Sequence, residues 1–177
     1  MIRTALVIGG GIAGPATAMA LQKAGIDATI YEASTAPRSG AFLTLAPNGV
    51  DALRVLDADE AALAAAFPTP GITLRSTTGK VLGVSSTGGA RSFTLRRAEL
   101  YRALHDEAVA RGIPVVTGKR LVGYAEDATG VRAEFADGST AAADVLVGAD
   151  GIHSAVRRTM DPTAPARRAP QQWGGPR

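Results

Sequence analysis

Hydrophobic and polar positions near the start of the chain follow two different periods. Residues 4–8 form a short apolar run rich in β-forming side chains, which predicts a strand buried on both faces. Glycines interrupt the chain over 9–14, and residues 16–24 then have the spacing of a helix. Residues 27–31 predict a second strand, which ends at Glu32. This order predicts a βαβ unit with parallel strands and a right-handed crossover.

The rest of the pattern predicts further helices and an antiparallel meander. Asn48 follows a proline and precedes spaced apolar residues, which predicts a helix with Asn48 as its N-cap. Residues 97–111 predict an amphipathic helix, and alternating segments around Thr78–Gly79 indicate a hairpin. Later segments predict an antiparallel meander (115–116, 120–124, 131–135 and 140–143), a short strand (145–147) and a last helix (152–160). The predicted fold class is α/β, with a Rossmann-like parallel sheet, packed helices and an antiparallel β-meander.

Length and composition favour one globular domain. The chain has 177 residues, of which 46% are hydrophobic and 20% charged, enough for a sizeable core. We expect one domain over 1–160, followed over 161–177 by a disordered, basic tail rich in proline and glycine. Cysteine is absent, which excludes disulfides, thiolate zinc sites and cysteine nucleophiles. The two histidines lack the spacing of metal ligands, so no metal site is predicted.

The net charge of +3 arises at the end of the chain. Residues 157–177 hold five arginines against Asp161, so the body is nearly neutral, which argues against a nucleic-acid partner. Residues 5–21 are apolar enough to mimic a signal peptide or a membrane span, but four glycines and Pro15 in their middle argue against both. Without a convincing export signal or a disulfide, we expect a cytoplasmic protein.

Gly9 to Gly14 fit the pattern G-x-G-x-x-G between a predicted strand and a predicted helix. In this pattern Gly9 permits the tight turn, Gly11 lets a diphosphate approach the backbone, and Gly14 lets the helix lie close to the sheet. The free N–H groups of the first helical turn, around Ile12 and Ala13, then face the anion. The motif therefore predicts a dinucleotide-binding turn.

Glu32 lies 18 residues after Gly14, at the end of the second predicted strand. A carboxylate there can accept hydrogen bonds from both hydroxyls of an adenosine ribose and would repel a 2′-phosphate. The alternative is a solvated glutamate that ends a strand in a purely structural βαβ unit. The motif and Glu32 together do not distinguish NAD from FAD.

Further segments favour FAD over NAD, because they resemble segments of a known protein family. They are Tyr31-Glu32-Ala33 with Arg38 and Gly40, Ala46-Pro47-Asn48-Gly49, Leu95 to Leu100, and Gly148 to Arg157, which contains the pair Asp150-Gly151. With these segments the sequence resembles, from about Leu6 to Arg157, the flavoprotein aromatic hydroxylases, FAD-dependent monooxygenases similar to para-hydroxybenzoate hydroxylase. The resemblance implies that residues 1–160 form an FAD-binding domain.

The resemblance also implies roles for single residues. Arg38 and Arg97 would approach the FAD phosphates or ribitol, Leu121 would offer backbone contacts to adenine, and Asp150 would help to hold FAD, while its segment also serves the nicotinamide nucleotide. The alternatives are surface charges for both arginines and a helix cap for Asp150, which can coexist with its cofactor role. The predicted cofactor-binding residues are thus Gly9, Gly11, Ile12, Ala13, Gly14, Glu32, Ala33, Arg38, Arg97, Leu121 and Asp150.

The reaction that the resemblance implies is hydroxylation of an aromatic or similar small molecule. NADH or NADPH reduces FAD, the reduced flavin takes up O₂, and a flavin C4a-hydroperoxide oxygenates the substrate. Since this chemistry belongs to the cofactor, we predict no catalytic acid or base in the chain.

Members of this family are longer, and their second half carries much of the substrate-binding sheet. We therefore expect a truncated chain, or a frameshift past Met160, that is inactive alone. Two alternatives to a monooxygenase stay open: a non-catalytic module that binds FAD or ADP, and a flavin-dependent reductase or dehydrogenase.

Overall fold

Four parallel strands form the central sheet of the computed structural model, which describes residues 1–35, 40–86 and 91–163. Across the sheet the strands are β12 (Val145–Gly148), β1 (Thr4–Ile8), β2 (Asp27–Glu32) and β8 (Val115–Thr117). The chain therefore leaves β1 towards β2 and β8, and later returns on the other side of β1 as β12. In open α/β sheets, ligands bind at the carboxyl ends of the strands where the strand order reverses in this way.

The other described elements surround this sheet. The helices are α1 (Ala13–Lys23), α2 (Pro47–Val55), α3 (Asp59–Leu63), α4 (Arg97–Ala110) and α5 (Ala155–Met160). The antiparallel strands form three smaller sheets. The first contains, in spatial order, β11 (Thr140–Ala143), β10 (Gly130–Phe135) and β9 (Leu121–Asp127), and the second contains β3 (Phe42–Leu45), β7 (Phe93–Arg96) and β4 (Phe67–Pro68). The third is a hairpin of β5 (Gly71–Arg75) and β6 (Val81–Ser86). The predicted α/β fold class is confirmed.

The βαβ unit forms as the hydrophobic pattern predicts. β1 and β2 run parallel with Leu6 opposite Thr29 and Ile8 opposite Tyr31. The helix between them begins at Ala13, three residues earlier than the predicted start at residue 16. Pro15 does not prevent this start, because N–H groups in the first helical turn have no partner within the helix.

The meander comprises β9, β10 and β11, with Val131 opposite both Ala143 and Glu126 in its two antiparallel pairings. The prediction that residues 115–116 belong to the meander is wrong. Val115–Thr117 instead forms β8, parallel to β2, with Val115 opposite Ile30. Helix α4 precedes β8 and crosses over the sheet, which is the connection that a parallel neighbour requires.

The predicted cap of α2 is also wrong. The helix begins at Pro47, its N-cap is Ala46 in an extended conformation, and Asn48 lies within the first turn. Proline suits this first position because its fixed φ is helical and its missing N–H is not needed there.

Two buried clusters cover the two faces of the parallel sheet. On one face, helices α1, α2 and α4 pack through Val7, Met19, Ile30, Leu53, Leu100 and Leu104. On the other face, the meander and α5 pack through Leu6, Ile8, Leu121, Ala133, Phe135 and Val156. The alternation of Leu6, Val7 and Ile8 between the clusters confirms that β1 is buried on both sides. The carboxyl end of β1 thus has a helical layer on one side and the meander on the other.

The predicted hairpin is present as β5 and β6, but its apolar side chains are exposed. Leu74 is 62% exposed and Val84 is 71% exposed, and neither belongs to the two buried clusters. Arg38 and residues 164–177, which include most of the predicted tail, lie outside the described residues. Within the described ranges, no helix is long and apolar enough to cross a membrane.

Candidate cofactor-binding site

The glycine turn after β1 lies directly against the Asp-Gly segment after β12. Gly9 has a φ of +107°, and a Cβ atom on it would lie 2.5 Å from the carbonyl oxygen of Ala149 and 2.9 Å from Cα of Asp150. The amide of Ala149 also donates a 2.7 Å hydrogen bond to the carbonyl of Ile8. Two segments about 140 residues apart in the chain are thus packed backbone to backbone at the strand-order reversal. This proximity agrees with the shared cofactor-binding role that the sequence motif and the resemblance predict for the two segments.

The three glycines of the motif have different surroundings. A Cβ atom on Gly14 would collide with the carbonyl oxygen of Gly9 and lie 3.7 Å from Cγ1 of Val7, so the turn cannot close around a larger residue. A Cβ atom on Gly11 would meet no described atom within 4 Å. The outer side of the turn at Gly11 is therefore open to a ligand, whereas Gly9 and Gly14 are required by the packing of the protein itself.

The amino-terminal end of α1 is not capped by the side chain of its own N-cap residue. Its N-cap residue, Ile12, makes no side-chain capping hydrogen bond, and its first turn contains no acidic residue. Backbone N–H groups at such an end carry partial positive charge and attract anions. The open side of the glycine turn therefore leads to donors suited to a diphosphate.

Glu32 is 2% exposed, so the reading of this residue as a solvated strand end is wrong. Its Oε2 atom accepts a 2.7 Å hydrogen bond from the amide of Gly10, and its Oε1 atom accepts a 2.8 Å hydrogen bond from the amide of Ser34. The carboxylate thereby connects the glycine turn to the chain that follows β2. Both carboxylate oxygens of Glu32 are therefore bound to backbone amides of the protein.

Asp150 uses one carboxylate oxygen as a helix cap and leaves the other without a partner. Its Oδ2 atom accepts hydrogen bonds from the amides of Ala155 (2.6 Å) and Val156 (3.3 Å) at the start of α5. Ser154 is the N-cap residue itself and accepts from the amide of Arg157. The Oδ1 atom of Asp150 is buried and has no hydrogen-bond partner among the described residues. Because a buried polar atom is normally paired, this oxygen fits a donor supplied by a ligand.

Arg97 is the first residue of α4 and is exposed. Its side chain lies beside Gly40, where a Cβ atom would be 3.2 Å from Cδ of Arg97, and its amide donates to the carbonyl of Ala41. Arg97 thus lies at a helix start beside Gly40, whereas Arg38 lies outside the described residues.

Leu121 and Ala33 lie on the meander side of the site. Leu121 is the first residue of β9, at an edge of its sheet, and its side chain is buried in the cluster under the meander. Ala33 directly follows β2 and is half-buried. Two residues before Leu121, the amide of Lys119 donates a 2.9 Å hydrogen bond to the carbonyl of Glu32. The structure therefore places the start of β9 next to the end of β2.

Sequence reasoning missed a polar cluster at this junction. Nζ of Lys119 lies 2.5 Å from Oδ2 of Asp137 and donates to Oγ of Ser139 at 2.7 Å. These hydrogen bonds from Lys119 and Ser139 hold the pKa of Asp137 well below its ordinary value. The segment Asp137-Gly138-Ser139 shows only a turn signal in the sequence, and nothing in it indicates a lysine partner 18 positions earlier.

Comparison with known proteins agrees with this geometry. Residues 3–174 match the family model described as an FAD binding domain. The chain is 39% identical over 155 residues to 2-heptyl-3-hydroxy-4(1H)-quinolone synthase of Mycobacteroides abscessus, covering 85% of this chain and 40% of the relative. It is 34% identical over 172 residues to the FAD-dependent urate hydroxylase of Klebsiella pneumoniae, covering 93% of this chain and 44% of the relative.

Among solved structures, a mutant of 2-methyl-3-hydroxypyridine-5-carboxylic acid oxygenase superposes with a TM-score of 0.80 and 31% identity. The match covers 91% of this chain and 43% of that one. The chain thus spans less than half the length of each of these three proteins.

The contact between Gly9 and Ala149 predicts that a single methyl group added at Gly9 strongly destabilises the fold. Gly9→Ala places its Cβ against backbone atoms and imposes a disfavoured φ, a strain of about 1–3 kcal/mol before any clash. We expect the Tm to fall by roughly 5 °C or more, measured by thermal unfolding with circular dichroism. Gly11→Ala is the matched control, because its Cβ enters open space, and its Tm should stay within roughly 2 °C of wild type. Equal Tm values for the two variants would contradict the packing described here.

The lowered pKa of Asp137 predicts a pH-dependent contribution to stability. Because the folded state binds a proton at Asp137 less readily than the unfolded state, this contribution is complete above about pH 5 and is lost as the pH falls further. The Tm difference between wild type and Asp137→Asn should therefore be constant from neutral pH down to about pH 5 and shrink below about pH 4. Thermal unfolding scans across this range measure it. A difference that stays constant at the lowest pH would show that Asp137 has no depressed pKa.

Proposed function

Since this chain belongs to the FAD binding domain family, among the FAD-dependent aromatic hydroxylases, we propose that residues 1–160 bind FAD as the cofactor domain of an NAD(P)H-dependent monooxygenase. The proposed substrate is a small aromatic molecule, and O₂ is the second substrate. The relatives support this class through their names, which include a urate hydroxylase and a quinolone synthase. The use of NADH or NADPH agrees with the cytoplasmic location that the sequence predicts.

The observation that carries this proposal is the meeting of the glycine turn with the Asp150 segment. The glycine turn offers the open backbone at Gly11 and the end of α1 that has no side-chain cap, which suit a diphosphate. The Asp150 segment offers the buried, unpaired Oδ1 atom, which suits a hydroxyl group. A molecule with both a diphosphate and hydroxyl-bearing sugar chains suits the two segments together, and FAD is such a molecule.

Different residues of the site would contact different parts of FAD. The amides of the turn around Ile12 and Ala13 would receive the diphosphate, and Arg97 and Arg38 would add positive charge near it. Glu32 would accept the ribose hydroxyls while it keeps its bonds to the amides of Gly10 and Ser34. The ribitol chain would donate to Asp150.

Two further contacts complete the proposed arrangement. The backbone at Leu121 and the chain at Ala33 would border the adenosine end, because both lie beside the end of β2. When bound, FAD supplies the two-electron redox chemistry and the reaction with O₂. The protein residues bind and orient it, and none of those described is assigned as a general acid or base.

FAD titration with a matched pair of glycine variants tests the proposal. Gly11→Val should fold with a Tm close to wild type but weaken FAD binding by about tenfold or more, because the side chain occupies the space where the diphosphate would lie. Gly83→Val is the control: its Cβ also meets open space, but on the β5–β6 hairpin, and FAD affinity should be unchanged. The measurement is quenching of flavin fluorescence, with Tm determined in parallel.

The possible results decide the proposal. A wild-type chain that binds no FAD, or a Gly11→Val variant with wild-type affinity, would overturn it. Oxygen consumption by the FAD-loaded chain, with NADH or NADPH and hydroxylated aromatic acids, then separates the alternatives. A chain that forms a hydroxylated product is a monooxygenase, and one that oxidises the nucleotide without such a product is a reductase. A chain that does neither is a non-catalytic module or the cofactor part of a monooxygenase that is inactive alone.

A further inference from the structure

We propose that Lys119, Asp137 and Ser139 are positioning residues that set the adenosine edge of the cofactor site. They do so by fixing the chain at residues 118–121 between the end of β2 and the turn after β10. This inference rests on the proposed function, because it assumes that the end of β2 and the start of β9 border bound FAD.

The segment at 118–121 is attached to the end of β2 by its backbone. The amide of Lys119 donates to the carbonyl of Glu32 at 2.9 Å. Gly118 has a φ of +74°, and a Cβ atom on it would lie 3.6 Å from Cγ2 of Thr35. The chain therefore turns sharply against Glu32 and Thr35, so the position of this segment is tied to the end of β2.

The side chain of Lys119 attaches the same segment to the turn after β10. Its Nζ atom binds Oδ2 of Asp137 and Oγ of Ser139. Ser139 in turn donates to Oδ1 of Asp137 through its hydroxyl, at 2.6 Å, and through its amide, at 3.0 Å. The three residues thus form a closed set of hydrogen bonds, with both carboxylate oxygens of Asp137 in use. The Lys119 side chain is 23% exposed, so this ion pair is more shielded than a fully solvated one.

Aromatic packing adds a second connection between the same two places. Phe135 is buried and stacks on Tyr31, the residue before Glu32, with ring centroids 4.8 Å apart. Nζ of Lys119 lies 5.8 Å from the centroid of the Phe135 ring. Phe135 also pairs with Leu121 where the register of β9 and β10 shifts. The turn at Asp137, the start of β9 and the end of β2 therefore form one unit.

A second lysine–aspartate pair in the chain provides a matched comparison. Nζ of Lys23 lies 2.6 Å from Oδ2 of Asp57, and the side chains are 43% and 73% exposed. This pair lies at the carboxyl end of α1, and an 11-residue helix separates it from the glycine turn by about 16 Å. It connects α1 to the loop after α2, and the lysine also donates to the carbonyl of Val55. The pair can stabilise the fold, but it does not touch the junction of β2 and β9.

The test compares folding with ligand affinity in four variants. Lys119→Met and Asp137→Asn should raise the Kd for FAD and for ADP together, by about three- to tenfold. Asp57→Asn should lower the Tm without changing either Kd. Lys119→Arg, which keeps the charge, should restore most of the affinity lost in Lys119→Met. Kd is measured by isothermal titration calorimetry well below each variant's Tm, and Tm by thermal unfolding.

Each outcome decides the role of the cluster. Wild-type Kd values in Lys119→Met and Asp137→Asn, with only a lower Tm, would show that the cluster is structural and overturn the inference. A wild-type chain that binds neither FAD nor ADP would remove the proposed function and this inference together. If Lys119→Met or Asp137→Asn fails to unfold cooperatively, Ser139→Ala replaces it, since this variant removes one hydrogen-bonding hydroxyl and keeps the ion pair. An unchanged Kd in Ser139→Ala would then overturn the inference.

Discussion

The backbone contact between Gly9 and the segment Ala149–Asp150 is the constraint on which the site depends. It joins the end of β1 to the end of β12, at the place where the order of the parallel strands reverses. Without a side chain at Gly9, the turn after β1 comes close enough for Ala149 to donate to Ile8. The open side of Gly11 and the buried, unpaired oxygen of Asp150 thus belong to two segments that are in backbone contact. A larger residue at Gly9 would move the backbone of Gly11 and the carboxylate of Asp150 apart, although both hydrogen-bonding groups would still be present.

Much of this arrangement could be predicted because local signals and topology agree. The apolar run, the glycine motif and the acidic end of the second strand predict the βαβ unit, and the parallel pairing follows from the crossover rule. The position of Asp150 could be predicted by resemblance, but its unpaired Oδ1 atom could not, because burial and pairing of one oxygen depend on the packing of α5. Similarly, spacing predicts that Glu32 faces a ribose, but the sequence gives no sign that its carboxylate also holds the amides of Gly10 and Ser34.

The errors have physical causes that a single sequence does not reveal. The sequence of residues 115–117 predicts a short apolar strand, which fits an antiparallel meander as well as the edge of a parallel sheet. The strand pairs parallel to β2 because helix α4 crosses over the sheet before it. Asn48 is a good capping residue, but Pro47 occupies the first helical position and moves the boundary. The cluster around Lys119 unites residues from two separate turns, and pairing of this kind depends on the register shift between β9 and β10.

The described elements differ in how they are supported, and this difference matters for function. The residues proposed to hold FAD rest on two buried clusters that cover both faces of the parallel sheet. The β5–β6 hairpin has no such support, since Leu74, Leu82 and Val84 on its strands are each more than 60% exposed. A two-stranded hairpin is marginally stable unless other elements pack on it. The strands that end at Ile8, Glu32 and Gly148 are held by layers to which the hairpin does not contribute, so the support of the proposed cofactor site comes from elements other than the hairpin.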